Sequence, residues 1–274
     1  MQRVLFILAT LLFGSGIAAN AQETYRLDTA ITYLGSKDTN ADAYRQQMCK
    51  LDIYYPTNTK DFPTVVWFHG GGLTGGRRDL PKELTEKGIA VITAEYRLYP
   101  KASCPAYIED AAAATAWAFE NIAKYGGNPS KIYISGHSAG GYLSMMVGMQ
   151  PQWLAKYGID NQQIAGLIPL SGQAITHFTI RREQGIDAKQ PTIDAYAPLY
   201  HVSKDIAPLH LITGDRNIEL FGRYEENAYL WRMMKEVGHP STYLYELEGF
   251  DHGDMVAPGA TLLVKIIKKQ ENSK

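Results

Sequence analysis

Runs dominated by apolar residues recur along the sequence, and a stretch with a helical pattern separates most of them. Continuous runs of this length are typical of parallel strands that are covered on both faces. Their alternation with helices predicts an α/β fold, with a doubly wound, mostly parallel sheet and helices on both faces. The apolar runs lie at 64–68, 89–94, 131–135, 164–170 and 209–213, and the helical stretches at 80–87, 107–124, 140–149 and 224–236.

Both ends of this pattern carry further elements, and one internal segment departs from it. Residues 24–34 and 49–55 predict strands before the parallel core, and residues 242–247 and 261–269 predict a last strand and a last helix. Residues 173–204 hold polar, proline and aromatic residues without a clear period. Long inserts in compact domains are usually lids or binding loops, so we expect this insert to cover part of a functional site.

The N-terminal residues 1–21 have the pattern of a secretory signal peptide. Arg3 supplies a positive charge, residues 4–13 are almost wholly apolar, and Ala19-Asn20-Ala21 fits the small-x-small rule for cleavage. We therefore expect a secreted or periplasmic protein in which residues 22–274 form a single domain. No later run approaches the roughly 20 apolar residues of a membrane-spanning helix, so no membrane span is predicted.

Charge and cysteine content narrow the classes of partner. The chain holds 27 basic and 28 acidic residues, and this near balance argues against a nucleic-acid groove or a polybasic membrane patch. Cys49 and Cys104 lack the spacing of a metal site, and no His, Asp or Glu cluster has ligand spacing. We therefore expect no metal and no cofactor. Whether the two cysteines form a disulfide is open.

The strongest chemical signal is the segment Gly136-His137-Ser138-Ala139-Gly140, which follows one apolar run and precedes a helical stretch. A serine on such a strand-to-helix turn has a strained backbone and an exposed hydroxyl, and the flanking glycines avoid clashes that a Cβ would create. The helix behind it directs free N–H groups and the positive end of its dipole towards a developing negative charge. The motif predicts Ser138 as a nucleophile.

A second glycine-rich segment, His69-Gly70-Gly71-Gly72, closes the run 64–68. Its glycines let the backbone bend so that N–H groups point into a cavity, where they would form an oxyanion hole with the N–H of Ala139. A phosphate-binding loop is a weaker interpretation, because no lysine follows at the required spacing.

The general base is identified by elimination among seven histidines. In this fold the base follows both the nucleophile and the acid in the chain. His252 follows the final strand, in a loop at the carboxyl edge of the sheet, and is therefore predicted to be the base. The others lie beside the serine, inside a strand, in the insert or in a helix-to-strand turn, or close the run 64–68: His69, His137, His177, His201, His210 and His239.

Four segments of the chain form a recognisable set: Trp67–Gly72, Glu95–Pro100, Glu109–Ala111 and Ser135–Gly141. Together they resemble the bacterial hormone-sensitive-lipase-type carboxylesterases, and especially their feruloyl or acetyl esterase-like branch. The resemblance covers roughly residues 50–270 and implies hydrolysis of acyl esters through an acyl-enzyme, without a cofactor. It also implies that Gly71, Gly72 and Ala139 supply the oxyanion donors.

The acid of the triad departs from the family pattern. That pattern places an aspartate three residues after Gly214, where this chain has Asn217, and an amide cannot balance an imidazolium. Asp215 and Glu219 flank the position. The helix at 224–236 should begin about one turn after the acid, which favours Glu219, whereas an aspartate at a strand end commonly binds backbone N–H groups of the next turn. A catalytic dyad, or Asp251 beside the base, remains an alternative.

The sequence thus predicts a secreted serine carboxylesterase acting on small or aromatic acyl esters, of acetyl or feruloyl type, either as small molecules or linked to polysaccharide. An amide hydrolase of the arylformamidase type shares the scaffold and the nucleophile and is the close alternative. A catalytically inactive binding module on the same fold is the alternative from another class, although such proteins usually lose the serine or the histidine. The natural substrate and the oligomeric state stay open, because substrate depends on the pocket rather than on the fold.

Overall fold

The computed structural model describes residues 23–35 and 41–272; the predicted signal peptide at 1–21 lies outside these residues. An eight-stranded sheet forms the centre, in the order β1-β2-β4-β3-β5-β6-β7-β8. Strands β1 and β2 pair antiparallel, as do β2 and β4, and every other pair is parallel. The strands are β1 (Tyr25–Thr32), β2 (Lys50–Pro56), β3 (Phe62–Phe68), β4 (Ala90–Ala94), β5 (Gly127–His137), β6 (Gly166–Leu170), β7 (Leu209–Gly214) and β8 (Thr242–Leu247).

Seven α-helices accompany the sheet in the described part of the chain: α1 (Ala43–Met48), α2 (Ala106–Tyr125), α3 (Ala139–Met149), α4 (Gln152–Ala155), α5 (Phe178–Glu183), α6 (Arg223–Glu236) and α7 (Val256–Glu271). The mostly parallel α/β sheet expected from the apolar runs is confirmed. None of the helices among these residues has the length and apolar character needed to cross a membrane.

Two apolar cores lie on opposite faces of the sheet, and β3 shows how they arise. Its buried residues alternate, so that Val66 and Phe68 join one core and Val65 and Trp67 join the other. Helices α2, α3 and α6 contribute to the first core and α7 to the second. Because both faces are covered, the central strands are continuously apolar.

A buried ion pair joins two of the four segments that resemble the family, Glu95–Pro100 and Glu109–Ala111. Arg97, which follows β4, donates from Nε to Asp110 Oδ2 and from Nη2 to Asp110 Oδ1, both at 2.7 Å. Asp110 lies in the first turns of α2 and is fully buried. A two-pronged contact of this kind fixes orientation as well as distance. It therefore ties the loop after β4 to α2.

Two predicted helices differ from those observed. Residues 80–87 form only a single 3₁₀ turn, Lys82–Leu84, because Glu86 and Gly88 have φ angles of 57° and 75°, which end any helix. The last helix is longer than predicted and begins at Val256, since Pro258 lies in the first turn, where no helical N–H bond is lost.

The carboxyl ends of the parallel strands meet at one edge of the sheet. The loops at this edge after β3, β5, β7 and β8 carry the oxyanion segment, Ser138, the candidate acids and His252, in that order. Cys49 and Cys104 are both free thiols, so they form no disulfide in this structure.

Candidate active site

Ser138 lies on the predicted turn between β5 and α3. Its φ of 56° and ψ of −115° place it in a strained region for a residue with a side chain. Its N–H donates to the Leu170 carbonyl at 2.9 Å, which ties the turn to the end of β6. A Cβ on Gly136 or on Gly140 would approach the Phe68 carbonyl oxygen to 2.5 Å or 1.9 Å. The two glycines are therefore required because the turn packs directly on the end of β3.

The structure brings Ser138, His252 and Glu219 into one hydrogen-bonded series. His252 Nε2 lies 2.9 Å from Ser138 Oγ, and His252 Nδ1 lies 2.6 Å from Glu219 Oε1. With the proton on Nδ1 donated to the carboxylate, Nε2 is left free to accept the serine proton. This is the geometry of a nucleophile, its base and the group that orients the base.

Glu219 has a side chain only 1% exposed, and four donors surround its carboxylate. Besides His252 these are the N–H groups of Leu220 (2.9 Å) and Gly214 (3.0 Å) and the hydroxyl of Ser171 (2.9 Å). Burial by itself raises the pKa of this carboxyl, but the hydrogen bonds from His252, Leu220 and Gly214 outweigh it and lower the pKa to about 2. Glu219 is therefore ionised at neutral pH.

Asp215 lies away from His252 and has other partners. Its Oδ1 accepts from the N–H and the side-chain amide of Asn217, at 2.8 Å and 3.0 Å, and its Oδ2 accepts from the N–H of Gly249 at 2.8 Å. These backbone and side-chain bonds lower the pKa of the carboxyl. Asp215 thus closes the turn after β7 and joins it to the loop after β8, while Asn217 contributes to that turn.

The three candidate oxyanion donors lie at the same edge as Ser138. Gly71 has a φ of 113°, and a Cβ there would approach the Gly75 carbonyl oxygen to 2.2 Å. Among the loop hydrogen bonds of residues 41–272, neither Gly71 nor Gly72 donates its N–H to a backbone carbonyl. Ala139 is the first residue of α3, where an N–H has no helical partner. The backbone hydrogen bonds at this edge therefore leave all three N–H groups without a carbonyl partner.

Two further histidines at this edge are structural. His137 Nε2 donates to the His252 carbonyl at 2.8 Å and so holds the backbone at His252. Burial, with a contribution from His252, lowers the pKa of His137 to about 4, so that it is neutral at pH 7. His69 stacks on Tyr96 with ring centroids 4.3 Å apart, and burial lowers its pKa as well.

The insert contacts the oxyanion segment, as expected for a lid or binding loop. Thr179, on α5, donates its hydroxyl to the Gly72 carbonyl at 2.5 Å, and a Cβ on Gly72 would lie 3.0 Å from the Phe178 ring. The ring of Phe221 lies 6.5 Å from that of Phe178 and is 62% exposed. Phe178 therefore lies against the oxyanion segment, with a second aromatic ring beside it.

Sequence reasoning missed Ser171 and the aromatic pair. Ser171 directly follows β6 at the carboxyl edge of the sheet, and this position is a signal that could have suggested it. Nothing in the local sequence marks Phe178 or Phe221. Among residues 23–35 and 41–272, no group of three or more His, Cys, Asp or Glu side chains could hold a metal ion.

Parts of this chain are similar in sequence to a known protein family and to proteins that are named as esterases. Residues 51–165 match the BD-FAE family model. Carboxylesterase NlhH of Mycobacterium tuberculosis is 38% identical over 161 residues, which cover 57% of this chain and 50% of the relative. Esterase LipC of the same organism is 26% identical over 226 residues, 74% of this chain and 55% of the relative. The chain thus spans about half the length of the curated relatives it matches.

Solved structures share the fold at low identity. A truncated carbohydrate esterase from gut microbiota superposes with a TM-score of 0.73 at 18% identity, over 93% of this chain and 99% of the other. The propionate-bound esterase Est2 of Thermogutta terrifontis gives 0.70 at 23% identity, over 88% and 93%. The strand order and the solved structures show the α/β-hydrolase fold, and the local sequence matches make the chain similar to the hormone-sensitive-lipase-type carboxylesterases.

Proposed function

We propose that this protein is a serine carboxylic ester hydrolase. The observation that carries the proposal is the series of hydrogen bonds from Ser138 through His252 to Glu219, at the same edge of the sheet as the N–H groups of Gly71, Gly72 and Ala139. Hydrolysis of an ester needs a nucleophile, a base that later acts as an acid, and hydrogen-bond donors for the carbonyl oxygen that becomes negative. Each of these requirements has a residue at this edge of the sheet.

In the first half of the reaction, Ser138 Oγ attacks the ester carbonyl carbon while His252 Nε2 takes the serine proton. The carbonyl oxygen becomes negative and accepts hydrogen bonds from the N–H groups of Gly71, Gly72 and Ala139. Glu219, ionised because its pKa is about 2, stabilises the imidazolium. The bond from carbon to the alcohol oxygen then breaks, and His252 gives its proton to the departing alcohol.

In the second half, a water replaces the alcohol. His252 Nε2 takes a proton from this water, whose oxygen attacks the acyl carbon, and the same three N–H groups again bind the oxyanion. The bond from carbon to Ser138 Oγ breaks, His252 returns a proton to the serine, and the carboxylic acid leaves. The free enzyme is restored without a cofactor.

We further propose that the acyl group is small or aromatic, of acetyl or feruloyl type. The ring of Phe178 lies against the oxyanion segment with Phe221 beside it, and this favours a flat or short group there. Between residues 173 and 204, helical structure is limited to α5, of six residues, and a 3₁₀ turn, Pro198–His201, so this insert provides no long apolar lid for a fatty acyl chain. The N-terminal pattern supports export, which suits esters attached to extracellular polysaccharide.

The direct test is labelling by a fluorophosphonate probe together with hydrolysis of 4-nitrophenyl acetate. The wild-type protein should react with both, and Ser138→Ala should lose both while keeping its melting temperature, because the small serine hydroxyl contributes little packing. Absence of labelling and of hydrolysis in the folded wild-type protein would remove the proposal. Faster hydrolysis of an N-formyl anilide than of any ester would make the protein an amide hydrolase instead.

A further inference from the structure

Ser171 makes contacts that the two-step reaction does not by itself require. It is fully buried, and its Oγ lies 2.9 Å from Glu219 Oε2 and 3.0 Å from His252 Nδ1. Because Glu219 is ionised, the hydroxyl donates its proton to Oε2. Its oxygen then faces the N–H that His252 donates to Glu219 Oε1. One hydroxyl therefore contacts both partners of the acid–base pair.

The backbone of Ser171 is held in a conformation that residues with a side chain rarely adopt. Its φ is 47°, and its N–H donates to the Ile212 carbonyl at 2.7 Å. Arg223, at the start of α6 and 1% exposed, donates from Nη1 to the Ser171 carbonyl. Asn227, one turn later, donates to the Gly172 carbonyl at 2.9 Å. Strain of this kind persists only where the surroundings over-determine it, and here α6 supplies that restraint.

The acid itself gives a reason for this arrangement. Glu219 follows the family's aspartate position by two residues, and a glutamate has one more rotatable bond than an aspartate. Its carboxylate needs correspondingly more anchors to face His252 at a fixed angle. Ser171 and the N–H of Gly214 both bind Oε2, which leaves Oε1 directed at His252 Nδ1.

We propose that Ser171 is a positioning residue that locks the carboxylate of Glu219, and through it the ring of His252, in the productive orientation. The expected changes in kcat rest on the proposed ester hydrolysis. The contacts of Ser171 with Glu219 and His252 do not, because they are present without substrate. A displaced acid is thus compensated by a hydroxyl from the neighbouring strand end, held by the helix that follows the acid.

The test removes the hydroxyl in two ways. Ser171→Ala keeps a Cβ, whereas Ser171→Gly also relieves the positive φ. In both variants we expect kcat for 4-nitrophenyl acetate to fall about 10- to 100-fold, the effect expected for a hydrogen bond to a charged group. KM should stay close to the wild-type value, because Ser171 does not touch the substrate. Ser144→Ala, which removes another buried hydroxyl in the middle of α3, should keep the wild-type kcat and serves as the control.

Coupling to the acid separates positioning from a general structural role. In the Glu219→Gln background, removal of the Ser171 hydroxyl should have little further effect on kcat, because the carboxylate that it locks is gone. The low-field proton NMR signal of His252 Nδ1–H gives an independent readout. It should change its chemical shift in both folded Ser171 variants and stay unchanged in Ser144→Ala.

Two results would overturn the proposal. The first is wild-type kcat together with an unchanged low-field signal in the folded Ser171 variants. The second is a loss of kcat from Ser171→Ala that is equally large in the wild-type and in the Glu219→Gln backgrounds. If the wild-type protein hydrolyses no ester, the proposed function fails, and the NMR signal still decides whether Ser171 positions the pair.

Discussion

Replacement of Glu219 by glutamine should lower kcat for 4-nitrophenyl acetate by about 10²- to 10⁴-fold in a protein that still folds. Both oxygens of the carboxylate accept hydrogen bonds, Oε1 from His252 Nδ1 and Leu220 N–H, and Oε2 from Ser171 Oγ and Gly214 N–H. A glutamine has only one acceptor oxygen, so its NH₂ group must face donors whichever way the amide turns. If it faces His252, the ring takes the wrong tautomer; if it faces Gly214, the charge that balances the imidazolium is still lost.

The same substitution removes a pH-dependent part of the stability. The pKa of Glu219 is about 2 in the folded protein against an ordinary 4.5, a difference that corresponds to on the order of 3 kcal/mol. Because the folded pKa is the lower one, this stability is present above pH 4.5 and is lost as the pH falls towards 2. The free energy of unfolding of Glu219→Gln should therefore depend less on pH in that window, as measured by urea unfolding at a series of pH values.

Asp215→Asn is the matched control, since it replaces the other candidate acid by its amide. The one oxygen of the asparagine can still accept from Asn217, and only the bond from Gly249 is lost, so we expect kcat to change by less than about tenfold and the melting temperature to fall only slightly. Both variants are assayed for kcat, KM and melting temperature. Near-normal kcat in Glu219→Gln, with a loss of several orders of magnitude in folded Asp215→Asn, would refute the assignment of Glu219 as the acid.

Two further outcomes are expected. Hydrolysis of 4-nitrophenyl esters should fall steeply from acetyl and butyryl esters to esters with acyl chains of twelve or more carbons, because Phe178 lies over the oxyanion segment. The highest turnover on the long-chain esters would contradict the proposed acyl preference. Burial lowers the pKa values of His137 and His210 to about 4, below the ordinary 6.5, so the unfolded chain binds more protons between these values and stability should rise with pH from about 4 to 6.5. His210→Gln should make this rise shallower in urea unfolding, and an unchanged slope would show that folding does not lower the pKa of His210.

Much of the fold could be predicted because its signals are local. The central strands are continuously apolar where helices cover both faces, and this pattern is present in each segment separately. The prediction of a helix at 80–87 was wrong because it relied on the local apolar pattern alone. Its pattern of apolar residues suited a helix, but Glu86 and Gly88 adopt positive φ angles, which that pattern does not encode.

The candidate site likewise has residues that local sequence signals predict and one, the acid, that they do not define. The turn at Ser138 is marked by glycines within two residues, because the close approach to Phe68 forbids a side chain there. The choice of His252 follows from chain order together with its place after the final strand, which sets it apart from His239. The choice between Glu219 and Asp215 rested on the start of one helix, since spacing within the loop does not define which carboxylate turns inwards.

The sequence by itself determined the sheet, the strand-to-helix turn and the order in which the candidate groups occur, because each depends on neighbouring residues. Only the tertiary structure decided that Glu219 reaches His252, that Ser171 contacts both of these side chains, and that Phe178 lies against the oxyanion segment. Ser138 and His252 are 114 residues apart, and Ser171 and Glu219 are 48 apart. Contacts at such separations depend on the paths of whole loops and on the packing of α6 against the sheet, and no local pattern of residue types records them.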